Sequence, residues 1–456
     1  MPGVYKYITI YLIALFFIPP TRHCLKYSER RIIEFYRGEN IGYKNRLQNM
    51  GYDFLFKIID DFYMFATNKP WSTEENERIK HIMEGKVKNI YLDSNIFSAF
   101  RNDVLAVEGD EDESPNTPPS AFCQCPPYFD VAQEIDQTWT DGYTGRNVVV
   151  AVTDVGVDID SPRLIANIAS HLSYNFVENN SDPRPKVFPD YPESLPQTNH
   201  GNACAGLIGG IKENDNCSLC GAGVAFNTKI AALKIGRVKK FHWDTNPEIT
   251  SGRFSAALNF KNQEIHIYSN SWTFDEPFKM LQPFTERVFE AGLEKGRQGL
   301  GSVFVFPSGP HGNGFTNNIY TIGVASFGIN GTIPRKSFVS SATLVSAFGQ
   351  GRRRNDNGML TVTHTSLGRL TARTCDNKFG GSSAATALMS GMIALALQAN
   401  PLLTLRDIKH LLVESSGYIG LAETSHFTKN CAGKHFHKVF GFGYVQVLKM
   451  VHLAKH

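Results

Sequence analysis

The stretch Asn147-Val148-Val149-Val150-Ala151-Val152-Thr153-Asp154 is an almost unbroken apolar run that stops at a carboxylate. Apolar character without alternation is expected of a strand covered on both faces, as in a parallel sheet, and not of a half-exposed hairpin strand. Three later runs repeat the pattern, at 229–235, 266–271 and 302–308. Between them lie helical stretches at 201–210, 255–258 and 285–296. Ser383 then opens a long apolar helix, 384–399, and a second, amphipathic helix follows from Thr404. Strands alternating with helices predict an α/β fold, a parallel sheet with helices on both faces. Ligands bind such a sheet beyond the carboxyl ends of its strands, which is where Asp154 falls.

Two further stretches carry chemistry: Asn199-His200-Gly201-Asn202-Ala203-Cys204-Ala205-Gly206 and Gly380-Gly381-Ser382-Ser383-Ala384-Ala385-Thr386-Ala387. An acid after an apolar strand, a histidine before a glycine and a serine among small residues are the parts of an activated hydroxyl nucleophile. Ser383 would attack a carbonyl, His200 would take its proton, and Asp154 would hold the imidazole tautomer and stabilise the imidazolium. Each residue alone has a plain structural reading: a strand-end aspartate, a core histidine, a helix-capping serine. The three in this order predict a catalytic set. Ser382 is the neighbouring alternative, and the Ala-Ala that follows favours Ser383.

With 456 residues, 42% of them hydrophobic, the chain has room for one large domain and a smaller one. A net charge of +3 is too small to argue for a nucleic-acid or anionic-membrane partner, and no nucleic acid is expected. Residues 1–22 read as a signal peptide: Lys6, then a short apolar run over 8–20 ending in Pro19-Pro20, too short for the ~20 residues of a membrane span. Residues 30–105 mix helical charge patterns with short apolar runs, which predicts a small α/β module. Residues 106–125 are an acidic, proline-rich linker that cannot bury enough apolar surface to order itself. The remaining domain is 126–456. Eight cysteines and sequons at Asn179, Asn216 and Asn330 fit passage through a secretory pathway.

From about 126 onward the chain resembles the catalytic domain of the kexin/furin branch of subtilisin-like proteases. The Asp…His…Ser order is that of subtilisin-type hydrolases. The likeness is carried by Asp141-Gly142-Tyr143-Thr144-Gly145, Cys220-Gly221-Ala222-Gly223-Val224, His266-Ile267-Tyr268-Ser269-Asn270-Ser271-Trp272, Thr316-Asn317-Asn318-Ile319-Tyr320 and Phe440-Gly441-Phe442-Gly443-Tyr444. Residues around 40–65, notably 51–65, are similar to the family's inhibitory propeptide. The resemblance implies a secretory-pathway serine endopeptidase (Golgi, secretory vesicles or extracellular), a polypeptide substrate, and a propeptide acting as an intramolecular inhibitor.

Several positions depart from the family. Pro310 in Ser308-Gly309-Pro310-His311 stands where an asparagine side chain donates to the oxyanion, and proline donates nothing. Trp272, Glu276, Asn313 and Val155 fall at substrate-pocket positions, but only Glu276 among them is a carboxylate. A buried basic side chain needs a paired charge, so strict dibasic specificity is not expected. No cofactor is firmly implied. Calcium follows from the resemblance, yet its positions carry Arg163, the cluster Asn175, Asn180 and Asp182, and Phe338, with Asn214 and Gly221 resembling other ligands. Charge so reduced predicts weak calcium binding or none. The resemblance pairs Cys220 with Cys375 and leaves Cys204 free. That family continues into a β-rich P domain, and the chain reads as a divergent member without one. An alternative reading is a pseudoprotease, the same fold acting as a binding or regulatory protein.

Overall fold

The computed structural model describes residues 29–36, 40–94, 134–188, 190–191, 194–212, 222–238, 247–274, 276–328, 331–334, 337–349, 358–365, 375–422 and 424–456. The expected signal peptide and acidic linker lie outside these residues, as do Cys220, Asn214, Gly221 and the sequon residues Asn216 and Asn330. The chain divides into two compact units, the smaller made of residues up to Phe56 together with Asp61–Leu92.

The smaller unit carries a four-stranded sheet whose central strand, Glu29–Phe35, pairs antiparallel with both Phe62–Thr67 and Val87–Leu92. Two helices, Asn40–Asn49 and Thr73–Ile82, accompany it. Ser72 caps the second by accepting from the Glu75 amide at 3.2 Å, as a serine before an acidic first turn should. Ile33, Phe35, Leu47, Tyr52, Phe65, Trp71 and Ile79 form its own core. The buried Glu34 carboxylate accepts from Lys88 (2.8 Å), Asn89 (2.8 Å) and Tyr91 (2.9 Å). Burial alone would raise its pKa, but these partners outweigh it and hold the group below the usual value, while Tyr91 is pushed up to about 12 by burial and by that carboxylate.

The larger unit is built on a nine-stranded sheet. Its order is Ser416–Gly417, Tyr444–Val445, Thr343–Phe348, Thr321–Phe327, Val303–Pro307, Ile267–Ser269, Val149–Asp154, Lys229–Lys234 and Tyr174–Asn175. All neighbours are parallel except the pair at the Ser416 edge. The four runs read as strands are all in this sheet, and Val150, Ala151, Val152 and Ile230 are essentially inaccessible. Thr321–Phe327 and Thr343–Phe348 extend it beyond what the apolar runs indicated.

The Val149–Asp154 strand sits where the order turns: the next sheet strands in the chain, Tyr174–Asn175 and Lys229–Lys234, lie on one side of it. Those after them, from Ile267–Ser269 onward, lie on the other. The crevice at the carboxyl ends of Val149–Asp154 and Ile267–Ser269 is therefore the topological switch point.

The helix Gly381–Ala399 is apolar on every side because it runs through the core; Ala384, Leu388, Met392 and Leu395 are fully buried. It is long and apolar enough to cross a membrane by length and composition, but it is 83% buried inside the protein. Thr404 opens the amphipathic helix Leu405–Glu414 with a capping box to Asp407.

Candidate active site

Each of the three chemical residues is delivered by a different element. Asp154 ends the central strand. His200 lies in the second turn of the helix Leu195–Gly209, which begins earlier than the 201–210 stretch expected from sequence and carries Pro196 in its first turn. Proline suits a first turn, where its missing N–H is not needed. Gly201 explains how this helix meets the strand: a Cβ there would lie 2.1 Å from the Gly156 carbonyl oxygen and 3.1 Å from Asp154 Cβ. Only glycine permits that approach, which sets the imidazole beside the carboxylate. Ser383 occupies the first turn of the core helix, two residues after its start at Gly381.

The side chains converge. His200 Nδ1 is 2.8 Å from Asp154 Oδ2, and His200 Nε2 is 3.1 Å from Ser383 Oγ. The other Asp154 oxygen accepts from the Val155 amide at 2.8 Å. All three residues are at most 3% exposed. Burial pulls the His200 imidazole toward neutrality, but the Asp154 carboxylate outweighs it, with the Cys204 sulfur 3.9 Å from Nδ1 adding to the effect. The imidazole pKa is therefore held well above its usual 6.5. Cys204 is a free, buried thiol. Asp154, His200 and Cys204 offer three possible metal-ligand atoms within 4.8 Å of one another. The bond between Nδ1 and Asp154 already uses two of these atoms, and a metal would have to break it.

Two asparagines flanking His200 brace the site, and sequence reading had not singled out their roles. Asn199 Oδ1 accepts from the His364 amide at 2.8 Å, and Asn202 Oδ1 accepts from the Asp158 amide at 2.6 Å. Asp158 in turn accepts from the amide (2.9 Å) and hydroxyl (2.6 Å) of Thr365. The helix is thus tied to the loop after Asp154 and to the segment around His364. The only sequence signal was the pair of carboxamides within Asn199-His200-Gly201-Asn202.

The expected pocket residues are placed otherwise. Trp272 is buried, its ring 4.4, 5.5 and 5.1 Å from those of Phe254, Phe306 and Phe315, and its Nε1 donates to the Thr153 carbonyl at 3.0 Å. Val155 is 1% exposed. Asn313 is fully buried: its Nδ2 donates to Thr273 Oγ1 (2.6 Å) and the Phe274 carbonyl (3.3 Å), and its Oδ1 accepts from the Phe315 amide (2.9 Å). These three side chains are enclosed in packing or spent on internal bonds, so none presents a free polar group to a ligand. Glu276 is exposed and paired with Lys279 at 2.9 Å. Pro310 is buried and offers its carbonyl to the Asn313 amide at 3.3 Å. Cys375 is disulfide-bonded; its expected partner, Cys220, is outside the described residues.

Calcium does not fit the positions expected to hold it. Arg163 is buried and its Nη2 donates to the Ile211 carbonyl at 2.9 Å, putting a guanidinium where a cation was to bind. In the second cluster, Asn175 Oδ1 is taken by the Val177 and Glu178 amides, and Asp182 is paired with Arg184 at 2.7 Å. Phe338 has no side-chain oxygen. Oxygen donors with net negative charge are what calcium requires, and these sets lack them.

A carboxylate, an imidazole and a hydroxyl aligned at the switch point of a parallel sheet define the architecture of a serine hydrolase. The chain belongs to the subtilase family, whose model matches residues 145–443. It is 33% identical over 330 residues to rat proprotein convertase subtilisin/kexin type 4, an alignment covering 70% of this chain and 45% of that protein. It is 32% identical to Furin-1 of Xenopus laevis over 70% of this chain and 39% of that protein. The chain spans less than half the length of these curated relatives. Among solved structures, fervidolysin from Fervidobacterium pennivorans superposes with a TM-score of 0.59 at 15% identity, covering 95% of this chain and 62% of that one. The serine protease of Aeromonas sobria superposes with a TM-score of 0.56 at 21% identity, covering 69% and 61%. At these identities the structural likeness speaks to fold alone.

Proposed function

We propose that this chain is a serine endopeptidase of the secretory pathway that cleaves polypeptides through Ser383, His200 and Asp154. The observation that carries the reading is the continuous path from Asp154 through the imidazole to Ser383 Oγ, 2.8 and 3.1 Å. In the proposed mechanism His200 accepts the Ser383 proton as Oγ adds to the scissile carbonyl, then passes it to the leaving amine. Asp154 holds Nδ1–H and stabilises the imidazolium without taking the proton. The first-turn amides of the Gly381–Ala399 helix, including that of Ser383, favour the negative charge that develops on the carbonyl oxygen.

Convertase-like relatives and a compact N-terminal unit support a propeptide that inhibits the enzyme, and secretory or extracellular residence. Strict selection of paired basic residues is not part of the proposal, because one carboxylate remains at the pocket positions, and it is exposed and paired with Lys279. No calcium is assigned to the positions considered above.

A second reading is favoured by one observation: Pro310 removes a side-chain donor. Loss of the corresponding asparagine in subtilisin costs ~10²–10³ in kcat. Against an enhancement of ~10⁶ or more, measurable turnover survives, so the enzyme reading is preferred over an inactive binding protein. Labelling the secreted protein with a fluorophosphonate, with Ser383→Ala as control, tests the choice. Labelling confined to the wild type is expected; equal labelling of both excludes Ser383 as the activated nucleophile, and no labelling of either, in folded protein freed of its propeptide, favours the inactive binding protein.

A further inference from the structure

Phe278 has a backbone φ of 57°, the left-handed region. Among the described residues it is the one aromatic residue there; the other non-glycine residues with positive φ are all polar. L-residues resist this conformation, bulky ones most. The side chain gains no burial in exchange, since Phe278 is 73% exposed, and Met280 beside it is 71% exposed. A strained backbone and an aromatic ring left in water at the same residue point to a use outside folding.

Its surroundings say where that use lies. The segment that carries Phe278 starts at Ser271, which hydrogen-bonds directly to Ser383. It is held to the loop after strand Val303–Pro307 by two main-chain bonds, Phe278 N–H to the His311 carbonyl at 2.8 Å and Gly314 N–H to the Lys279 carbonyl at 2.9 Å. The ring rests on Gly312: a Cβ at that glycine would lie 2.4 Å from Phe278 Cδ1. Gly312 is two residues from Pro310. Phe274, at the root of the segment, stacks on Phe315 at 4.2 Å and anchors it to the core. The ring is therefore exposed on a segment that leads from Ser271, the neighbour of the nucleophile, to the loop carrying Pro310. The nearby acid, Glu276, already has a basic partner in Lys279 at 2.9 Å.

We propose that Phe278, with Met280, is a specificity-determining contact that receives an apolar side chain of the polypeptide substrate near the scissile bond. The proposal rests on the hydrolase reading above and names the substrate class of that site. An aromatic ring carried on a backbone tied down by main-chain bonds binds an apolar side chain at reduced entropic cost.

The test measures binding, so it does not depend on turnover. Two fluorescein-labelled decapeptides, identical except for leucine or arginine at the two central positions, are titrated by anisotropy against the secreted protein carrying Ser383→Ala and freed of its N-terminal unit, which has a core of its own. The leucine peptide is expected to bind at least tenfold more tightly. Phe278→Gly, which relieves the backbone strain, should abolish the preference, and Phe278→Tyr should keep it. Met280→Ser is a second variant expected to weaken it. Equal binding, tighter binding of the arginine peptide, no binding of either, or a preference that survives Phe278→Gly overturns the proposal. Fluorophosphonate labelling of the wild-type chain reports separately on Ser383, so failure of the nucleophile and failure of the apolar contact give different results.

Discussion

Ser271 and Ser383 hold each other through a reciprocal pair of hydrogen bonds: Ser271 Oγ donates to the Ser383 carbonyl at 3.0 Å, and Ser383 Oγ donates to the Ser271 carbonyl at 2.9 Å. The Ser383 hydroxyl has one proton and two acceptors in reach, the Ser271 carbonyl and His200 Nε2 at 3.1 Å. When the imidazole is protonated, Nε2–H donates to Oγ and the serine proton points to Ser271. When it is neutral, the proton can turn to Nε2, which is the competent state. Ser271 thus positions the nucleophile and supplies the resting acceptor for its proton.

Ser271→Ala removes the hydroxyl donor and leaves the carbonyl. One neutral hydrogen bond is worth about 1 kcal/mol, which corresponds to roughly fivefold in rate. The expected result is a kcat lower by about that factor with KM nearly unchanged, read from steady-state hydrolysis of a peptide substrate. A variant with unchanged kcat would show that the core helix alone orients Ser383.

The raised His200 pKa fixes the sign of the pH dependence. The imidazole must be neutral to act as base, so activity is lost as pH falls through a value above the usual 6.5. Stability runs the other way. A raised folded-state pKa contributes stability that is fully present below the unfolded value and is lost as pH rises through the folded one. Cys204, 3.9 Å from Nδ1, is among the groups that raise the pKa. Cys204→Ala should therefore move the acidic limb of kcat/KM to lower pH, measured across a buffer series at constant ionic strength. An unmoved limb would remove the thiol from the electrostatics of the site.

Much of this organisation could be read from sequence, and the failures share a cause. The unalternating run up to Asp154 identified a doubly covered strand because burial on both faces leaves its mark locally. The Asp…His…Ser order could be read because each member lies in a short stretch of distinctive composition. Trp272 could not be placed the same way. Whether an indole lines a cleft or fills a core depends on Phe254, Phe306 and Phe315, which arrive from separate segments. Asn313 is similar: its carboxamide is consumed by Thr273 and Phe274, forty and thirty-nine residues away in the chain. The role of Ser271 was hidden too, since a serine two residues past an apolar strand gives no local sign of the bond it makes across 112 residues.

Gly201→Ala tests the packing that brings the histidine to the aspartate. The new Cβ would meet the Gly156 carbonyl oxygen at 2.1 Å, and that atom is backbone, with no rotamer to relieve the contact. Overpacking of this kind costs about 1–3 kcal/mol or more. Urea unfolding should show a lowered midpoint, and activity in the surviving folded fraction should also drop because His200 is pushed from Asp154. Wild-type stability and activity together would mean that the helix and the strand-end loop do not approach as described.

Arg163 makes the calcium question testable without an activity assay. Its guanidinium donates to the Ile211 carbonyl at 2.9 Å while the Ile211 amide donates to the Arg163 carbonyl at 3.0 Å, so the side chain and the main chain close the same junction after the Leu195–Gly209 helix. A fixed internal cation at this point leaves a divalent ion no favourable site there. The Tm of the wild type is therefore expected to be the same in excess EGTA and in millimolar calcium. Arg163→Leu should lower Tm in both conditions, because loss of a hydrogen bond from a buried charged group costs about 1.5–3 kcal/mol. Calcium should not rescue the variant. A wild-type Tm that rises by several degrees on adding calcium would show that another set of oxygens holds the ion and that the arginine is not its replacement.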